Sequence, residues 1–99
     1  MRRENKYQAQ LIDKIKGMLD GCVVIINDPN YIQGLPDLLV LYKDSWAMLE
    51  VKRSANEPFQ PNQEYYIELF DNMSFADVVY PENEQEVLIG LQQAFRNRR

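Results

Sequence analysis

An aspartate, a glutamate and a lysine, Asp37, Glu50 and Lys52, are the residues of this 99-residue chain whose types and spacing suit chemistry. Glu50 and Lys52 close an apolar stretch that begins at Trp46, and they stand two residues apart. Residues i and i+2 of a strand share a face. Trp46, Met48, Glu50 and Lys52 therefore point one way, and Ala47, Leu49 and Val51 the other. Asp37 follows Pro36 and opens a second apolar stretch ending at Tyr42. Two carboxylates can hold a hard divalent cation, Mg²⁺ or Mn²⁺, with water filling the rest of its octahedron. The main-chain carbonyl of Val51, between the two motif side chains, is a candidate third ligand. A lysine beside such an ion can orient an attacking water or stabilise charge on a phosphate. That is the equipment for phosphodiester hydrolysis. Without metal the two carboxylates should repel, and one pKa should rise. The plain alternative is a charged cluster at a strand end, paired only with itself.

Whether these groups meet depends on how the two stretches pair. They are joined by Lys43-Asp44-Ser45, which reads as a turn. A three-residue turn would pair Tyr42 with Trp46 and put Asp37 on the wrong face. An even register, with Tyr42 opposite Ser45 or Ala47, places Asp37 opposite Glu50 or Lys52; the even register is the expectation. Around this hairpin, Tyr7, Leu11, Ile15, Met18 and Leu19 recur at helical spacing and predict a helix over Glu4 to Leu19, ended by Gly21. Cys22 to Ile26 is a β-branched strand, and Asn27 to Pro36 a loop. The strand 37 to 42, apolar on both faces after its first residue, should lie in a sheet covered on both sides. Ser54 to Gln60 is a polar loop. Pro61 reads as the first residue of a helix reaching about Asp71, with Tyr66, Ile67 and Phe70 inward. Phe75 to Tyr80 is a fourth strand. Pro81 and the acids from Glu82 to Glu86 start a last helix, whose stripe is Val87, Leu88, Leu91, Ala94 and Phe95. The order α-β-β-β-α-β-α predicts an antiparallel meander, a helical crossover to a parallel strand, and helices on both faces of a mixed α/β (α+β) sheet.

Composition narrows the chemistry. The chain is one domain's worth, 1–99, with no repeat or linker. With no His and a single Cys22, a zinc site of the usual kind and His-dependent triads are excluded. The lone cysteine fits a reducing compartment. No apolar run is long enough to cross a bilayer, and Met-Arg-Arg-Glu-Asn-Lys is not the start of a signal peptide; a cytoplasmic location is expected. Eleven Lys and Arg against fifteen Asp and Glu give a net charge of −4. No Lys or Arg lies between Arg53 and Arg96, while eight Asp or Glu do. A basic side built from the N-terminal helix, the site and the C-terminal tail is one reading of this asymmetry, and two solvated termini the other.

The segments Gly34-Leu35-Pro36-Asp37 and Leu49-Glu50-Val51-Lys52 resemble the PD-(D/E)xK nuclease superfamily. More narrowly, they resemble the virus-type replication-repair nuclease (VRR-NUC) family, whose stand-alone members are phage and bacterial proteins of about this size. The resemblance extends over nearly the whole chain. An acidic residue near the start of the first helix is matched by Glu4, and a Gln at the start of the next helix by Gln63. The loop residues Tyr31-Ile32-Gln33 lack the basic residue often found there. The resemblance implies a restriction-endonuclease-like α-β-β-β-α-β core, here with an extra C-terminal helix. It implies an Mg²⁺-dependent (or Mn²⁺-dependent) endonuclease acting on DNA in phage replication or recombination, with junctions, flaps and other branched forms as candidate substrates. It implies a homodimer, in the cytoplasm of a bacterial host if phage-encoded.

Glu4 and Gln63 also have readings of their own. Glu4 extends the buried stripe of the first helix and could reach a metal or its water, or it is a first-turn acid favouring the helix dipole. Gln63 precedes Tyr66, Ile67 and Phe70 by three, four and seven, so it faces the sheet. There it would meet the catalytic cluster or the scissile phosphate, or else cap the helix or bond a loop carbonyl. Arg53 is a candidate phosphate contact, and Tyr65-Tyr66 a candidate stacking pair. Two rivals to an enzyme remain at this point: a nuclease-like module that binds nucleic acid or a protein without catalysis, and an acidic mimic of DNA.

Overall fold

The computed structural model describes residues 3–97, with side chains from residue 6 onward. Helix α1 (Arg3–Met18) forms on the predicted stripe: Leu11 and Ile15, one turn apart, are fully buried. The chain reverses at Gly21, where φ is +86°, a conformation that costs glycine little. Strands β1 (Val23–Ile26), β2 (Leu38–Tyr42) and β3 (Ser45–Val51) make an antiparallel meander. Helix α2 (Gln63–Met73) then crosses to β4 (Phe75–Val79), which runs parallel to β3, giving the order β1-β2-β3-β4. A 3-10 turn over Pro81–Asn83 leads into α3 (Glu84–Arg96). The α+β architecture expected from the sequence is the one found.

The hairpin register is the even one. Tyr42 pairs with Ser45 and Leu38 with Leu49. The turn is two residues rather than three. Lys43 takes a positive φ of 55°, which matches the twist of the strands it joins, so Ser45 already belongs to β3. Carried one step beyond β2, this register sets Asp37 opposite Glu50.

The core lies on one face of the sheet. Leu11, Ile15 and Leu19 from the first helical segment and Val87, Leu88, Leu91 and Phe95 from α3 close over Val40, Ala47, Leu49, Val51 and Val79. Helix α2 packs on β3 and β4 from the opposite side, with Phe70 edge-on to Trp46 at 6.1 Å. Two expectations are corrected here. Strand β2 is not covered on both sides: Leu38 and Val40 are buried, but Leu39 and Leu41 are half-buried, because an eleven-residue helix does not span four strands. Nor does α2 begin at Pro61. Asn62 sits in the left-handed region (φ 72°) as the cap residue, and the helix starts at Gln63.

The cause of that late start is tertiary. A side chain on Gly34 would come within 2.6 Å of Asn62 Cβ and 2.8 Å of the Pro61 carbonyl oxygen. The loop before Asp37 thus presses directly on the turn before α2. Only glycine allows the approach, and Gly34 also has a φ of +91°. This contact ties together the two loops that carry Asp37 and Gln63.

Candidate active site

Asp37 is fixed from both sides. Asn27, just past β1, donates its main-chain N–H to the Asp37 carbonyl (2.8 Å) and its side-chain amide to the Pro36 carbonyl (2.8 Å). The Asp37 carboxylate accepts the Val51 N–H at 2.8 Å through Oδ2. That bond leans Asp37 across the end of β3, beside Glu50 and the main chain of Val51.

Glu50 and Lys52 are each only 3% exposed. Burial of this kind demands partners, and Gln63 supplies them. Its side-chain N–H donates to Glu50 Oε2 at 2.9 Å, while its Oε1 accepts from Lys52 Nζ at 2.7 Å and from the Gln60 N–H at 2.7 Å. Lys52 Nζ also donates to the Pro58 carbonyl (3.1 Å) and lies 3.8 Å from Glu50 Oε2 and 3.9 Å from Glu57 Oε2. The Phe59 ring centroid is 5.4 Å away. The Lys52 N–H donates to Val79, which keeps the end of β3 paired to β4. At the first turn of α2, Gln63 therefore joins the cluster, and its bond to the preceding loop is to the Gln60 N–H rather than to a loop carbonyl.

Among the described residues, Glu50 Oε1 is the one buried side-chain oxygen or nitrogen that, with the carboxylates ionised, meets no hydrogen-bond donor. Burial pushes the Glu50 carboxyl up to about 8, and the neighbouring Asp37 charge pushes in the same direction. Lys52 pulls it back, and a hydrogen bond toward Asp37 and the Glu57 charge raise it again. At neutral pH the pair thus holds a proton. The repulsion expected of two metal-free carboxylates is seen at the buried Glu50.

The cluster Asp37, Glu50, Lys52 and Gln63 is brought together as the sequence suggested. The side chain of Glu4 lies outside the described residues, as do those of Arg2, Arg3, Arg98 and Arg99. Among the described residues no group of three His, Cys, Asp or Glu converges as a ready metal cage. The site offers two carboxylates, one with an unpartnered buried oxygen, a donor set suited to a hard divalent cation. Arg53 is 53% exposed and pairs with Glu57. Tyr66 stacks on Phe70 at 5.7 Å, which makes it a packing residue, while Tyr65 is exposed beside it. Lys14 pairs with Glu84, which also accepts from Tyr7, so the N-terminal helix spends part of its charge on α3.

Glu57 escaped the sequence reading. Polar composition assigned its loop to solvent, yet its side chain is 18% exposed and turned toward Lys52. The spacing of Arg53 and Glu57, four apart, was the one available signal.

No protein-family profile and no curated protein matches the chain. Two solved structures do. One, described as a "VRR_NUC domain", superposes with a TM-score of 0.71 at 22% identity, over 90% of this chain and 97% of that one. The other, a "VRR_NUC domain protein", gives 0.69 at 16% identity, over 97% of this chain and 90% of that one. The chain has the fold of these domains. Among the described residues, no helix is long and apolar enough to cross a membrane.

Proposed function

We propose that this chain, built on the VRR_NUC fold, is a divalent-metal-dependent endonuclease of the PD-(D/E)xK type that hydrolyses DNA phosphodiester bonds. The observation that carries the reading is the buried, unpartnered Oε1 of Glu50 beside the Asp37 carboxylate, with Lys52 held in the same cluster by Gln63. Such an oxygen is costly unless it is completed, by the proton that the metal-free pair holds or by a cation that takes the proton's place.

Asp37 and Glu50 would hold Mg²⁺ or Mn²⁺, with the Val51 carbonyl and Glu4 as further donors. Bound there, the ion supplies Lewis-acid stabilisation of the phosphate and eases deprotonation of water. The protein's own groups do the rest. Glu50 gives up its proton as the site loads. Lys52 donates to the attacking water or to a phosphate oxygen, stabilising charge as it develops. Gln63 fixes the Lys52 ammonium through Oε1 and the Glu50 carboxylate through its N–H, so neither has to reorganise during the reaction. Water adds at phosphorus and releases a proton to solvent, one P–O ester bond breaks, and the departing oxygen takes a proton from solvent and leaves as a hydroxyl.

The same reading includes a homodimer acting on branched DNA, since a two-fold enzyme suits a two-fold junction. Its support is apolar surface on the edge strand: Val23 is 53% and Ile25 42% exposed, an edge without the charges or prolines that usually discourage pairing. A role in phage replication or recombination, in the cytoplasm of a bacterial host, accompanies it. The test is metal binding by calorimetry together with cleavage of labelled DNA. Mg²⁺ or Mn²⁺ should bind the wild type and bind neither Asp37→Asn nor Glu50→Gln. A well-folded wild type that binds no metal and cuts nothing would favour a non-catalytic binding module.

A further inference from the structure

The loop from Ser54 to Gln60 is turned inside out. Pro58 and Phe59 face solvent, Phe59 with 41% of its surface exposed, while the acid Glu57 faces in. An ordinary exposed loop does the reverse. The inward turn has a cause. Glu57 Oε1 accepts the Arg53 N–H at 2.7 Å and lies 3.5 Å from Arg53 Nε. Its Oε2 lies 3.9 Å from Lys52 Nζ. A main-chain N–H, a guanidinium and an ammonium thus converge on one anionic group, the donor set that recognises a phosphate.

The contacts holding Glu57 there are local. Glu57 N–H bonds the Ser54 carbonyl and Asn56 N–H bonds the Ser54 hydroxyl. Arg53 is four residues away and Lys52 five. The Glu57 side chain, held by bonds within its own turn, can swing out while Pro58 and Gln60 keep their bonds to Lys52 and Gln63. A cavity of about 630 Å³ lined by Tyr7, Arg53, Ser54, Asn56, Glu57 and Pro58 lies against it. A second, of about 240 Å³, is bordered by Lys52, Glu57 and Phe59. Glu57 lies between open space on one side and the Lys52 ammonium on the other.

We propose that Lys52, Arg53 and the Arg53 N–H form a phosphate-binding subsite that the Glu57 carboxylate fills in the free protein and a backbone phosphate of the substrate displaces. The inference rests on the nuclease reading for the identity of its ligand. It makes Glu57 an internal competitor rather than a support, and so fixes the sign of its removal.

The test measures binding without cutting, by anisotropy of a labelled oligonucleotide in EDTA, for wild type, Glu57→Gln and Arg53→Gln. Glutamine keeps the acceptor for the Arg53 N–H while removing the charge. Glu57→Gln should bind about fivefold more tightly, a shift of roughly 1 kcal/mol, and Arg53→Gln more weakly than wild type. Inorganic phosphate, followed by the ¹⁵N resonances of the Arg53 N–H and Nε, should perturb those signals at lower concentration in Glu57→Gln. Unchanged or weaker binding by a folded Glu57→Gln protein would overturn the proposal, because a merely structural glutamate gives that result. Loss of the nuclease reading would be seen separately, as absence of cutting with metal in every variant.

Discussion

Raising the pH of the metal-free protein should destabilise it, and Glu50 sets the window. Its carboxyl, ordinarily near 4.5, is pushed up to about 8 by burial and by Asp37. Between those values the folded state holds a proton that the unfolded chain has released. Stability from this group is therefore fully present below the unfolded value and is lost as pH rises through the folded one. The slope is at most about 1.4 kcal/mol per pH unit for a single group. From pH 6 to pH 8, allowing for saturation near the upper value, that amounts to about 2 kcal/mol. For a domain of about 100 residues it means a fall in Tm of roughly 8–16 °C. Burial also raises the Asp77 carboxyl, which acts in the same direction as Glu50, while Cys22 and Tyr7 are raised from ranges that are already alkaline. The assay is thermal unfolding in EDTA at half-unit pH steps, for wild type and Glu50→Gln. The variant should be flat across the window and more stable than wild type at pH 8. Millimolar Mg²⁺ should reverse the trend for wild type, because the ion binds the deprotonated pair and stabilises by mass action. A wild-type Tm that is flat from pH 6 to pH 8 in EDTA, and indistinguishable from Glu50→Gln, would refute the argument that burial and Asp37 keep a proton on Glu50.

Three further outcomes are expected. Gln63→Ala releases Lys52 and Glu50 from their shared amide, so cleavage should fall about 10- to 100-fold at a stability cost of about 1–3 kcal/mol; steady-state kinetics beside chemical denaturation separates the two. Gly34→Ala puts a Cβ against Asn62 and Pro61 in a positive-φ conformation, and should cost at least about 2 kcal/mol, read as a lower Tm and a displaced Gln63. Ile25→Lys, on the exposed edge strand, should shift the protein from dimer to monomer in sedimentation while its circular dichroism stays unchanged; a wild type already monomeric at micromolar concentration would contradict the dimer.

The part of the site that lies on regular structure was legible in the sequence. Strand parity alone puts Glu50 and Lys52 on the face of Trp46 and Met48, and the demand that Asp37 join them selected the even register that the Lys43-Asp44 turn makes. Gln63 was legible through helical spacing from Tyr66, Ile67 and Phe70. What escaped lay in contacts between segments distant in sequence. The start of α2 depends on Gly34 pressing against Pro61 and Asn62, and no local propensity encodes that approach. The open second face of β2 depends on how far α2 reaches. Glu57 turns inward because Lys52 and Arg53 lie beneath it, whereas composition reads its loop as solvent-facing. Asn27, which clamps Pro36 and Asp37, looked like one more turn residue.

The central claim, that Asp37, Glu50 and Lys52 form a metal-dependent phosphodiesterase site, is tested most directly by one cleavage experiment. Labelled single-stranded, duplex, flap and four-way-junction DNA would be incubated with Mg²⁺, Mn²⁺ or EDTA, using wild type and Lys52→Ala purified identically. The account predicts cutting by wild type with either metal, none in EDTA, and a loss of at least about 100-fold in Lys52→Ala. Equal cutting by both proteins, or cutting that persists in EDTA, would contradict it.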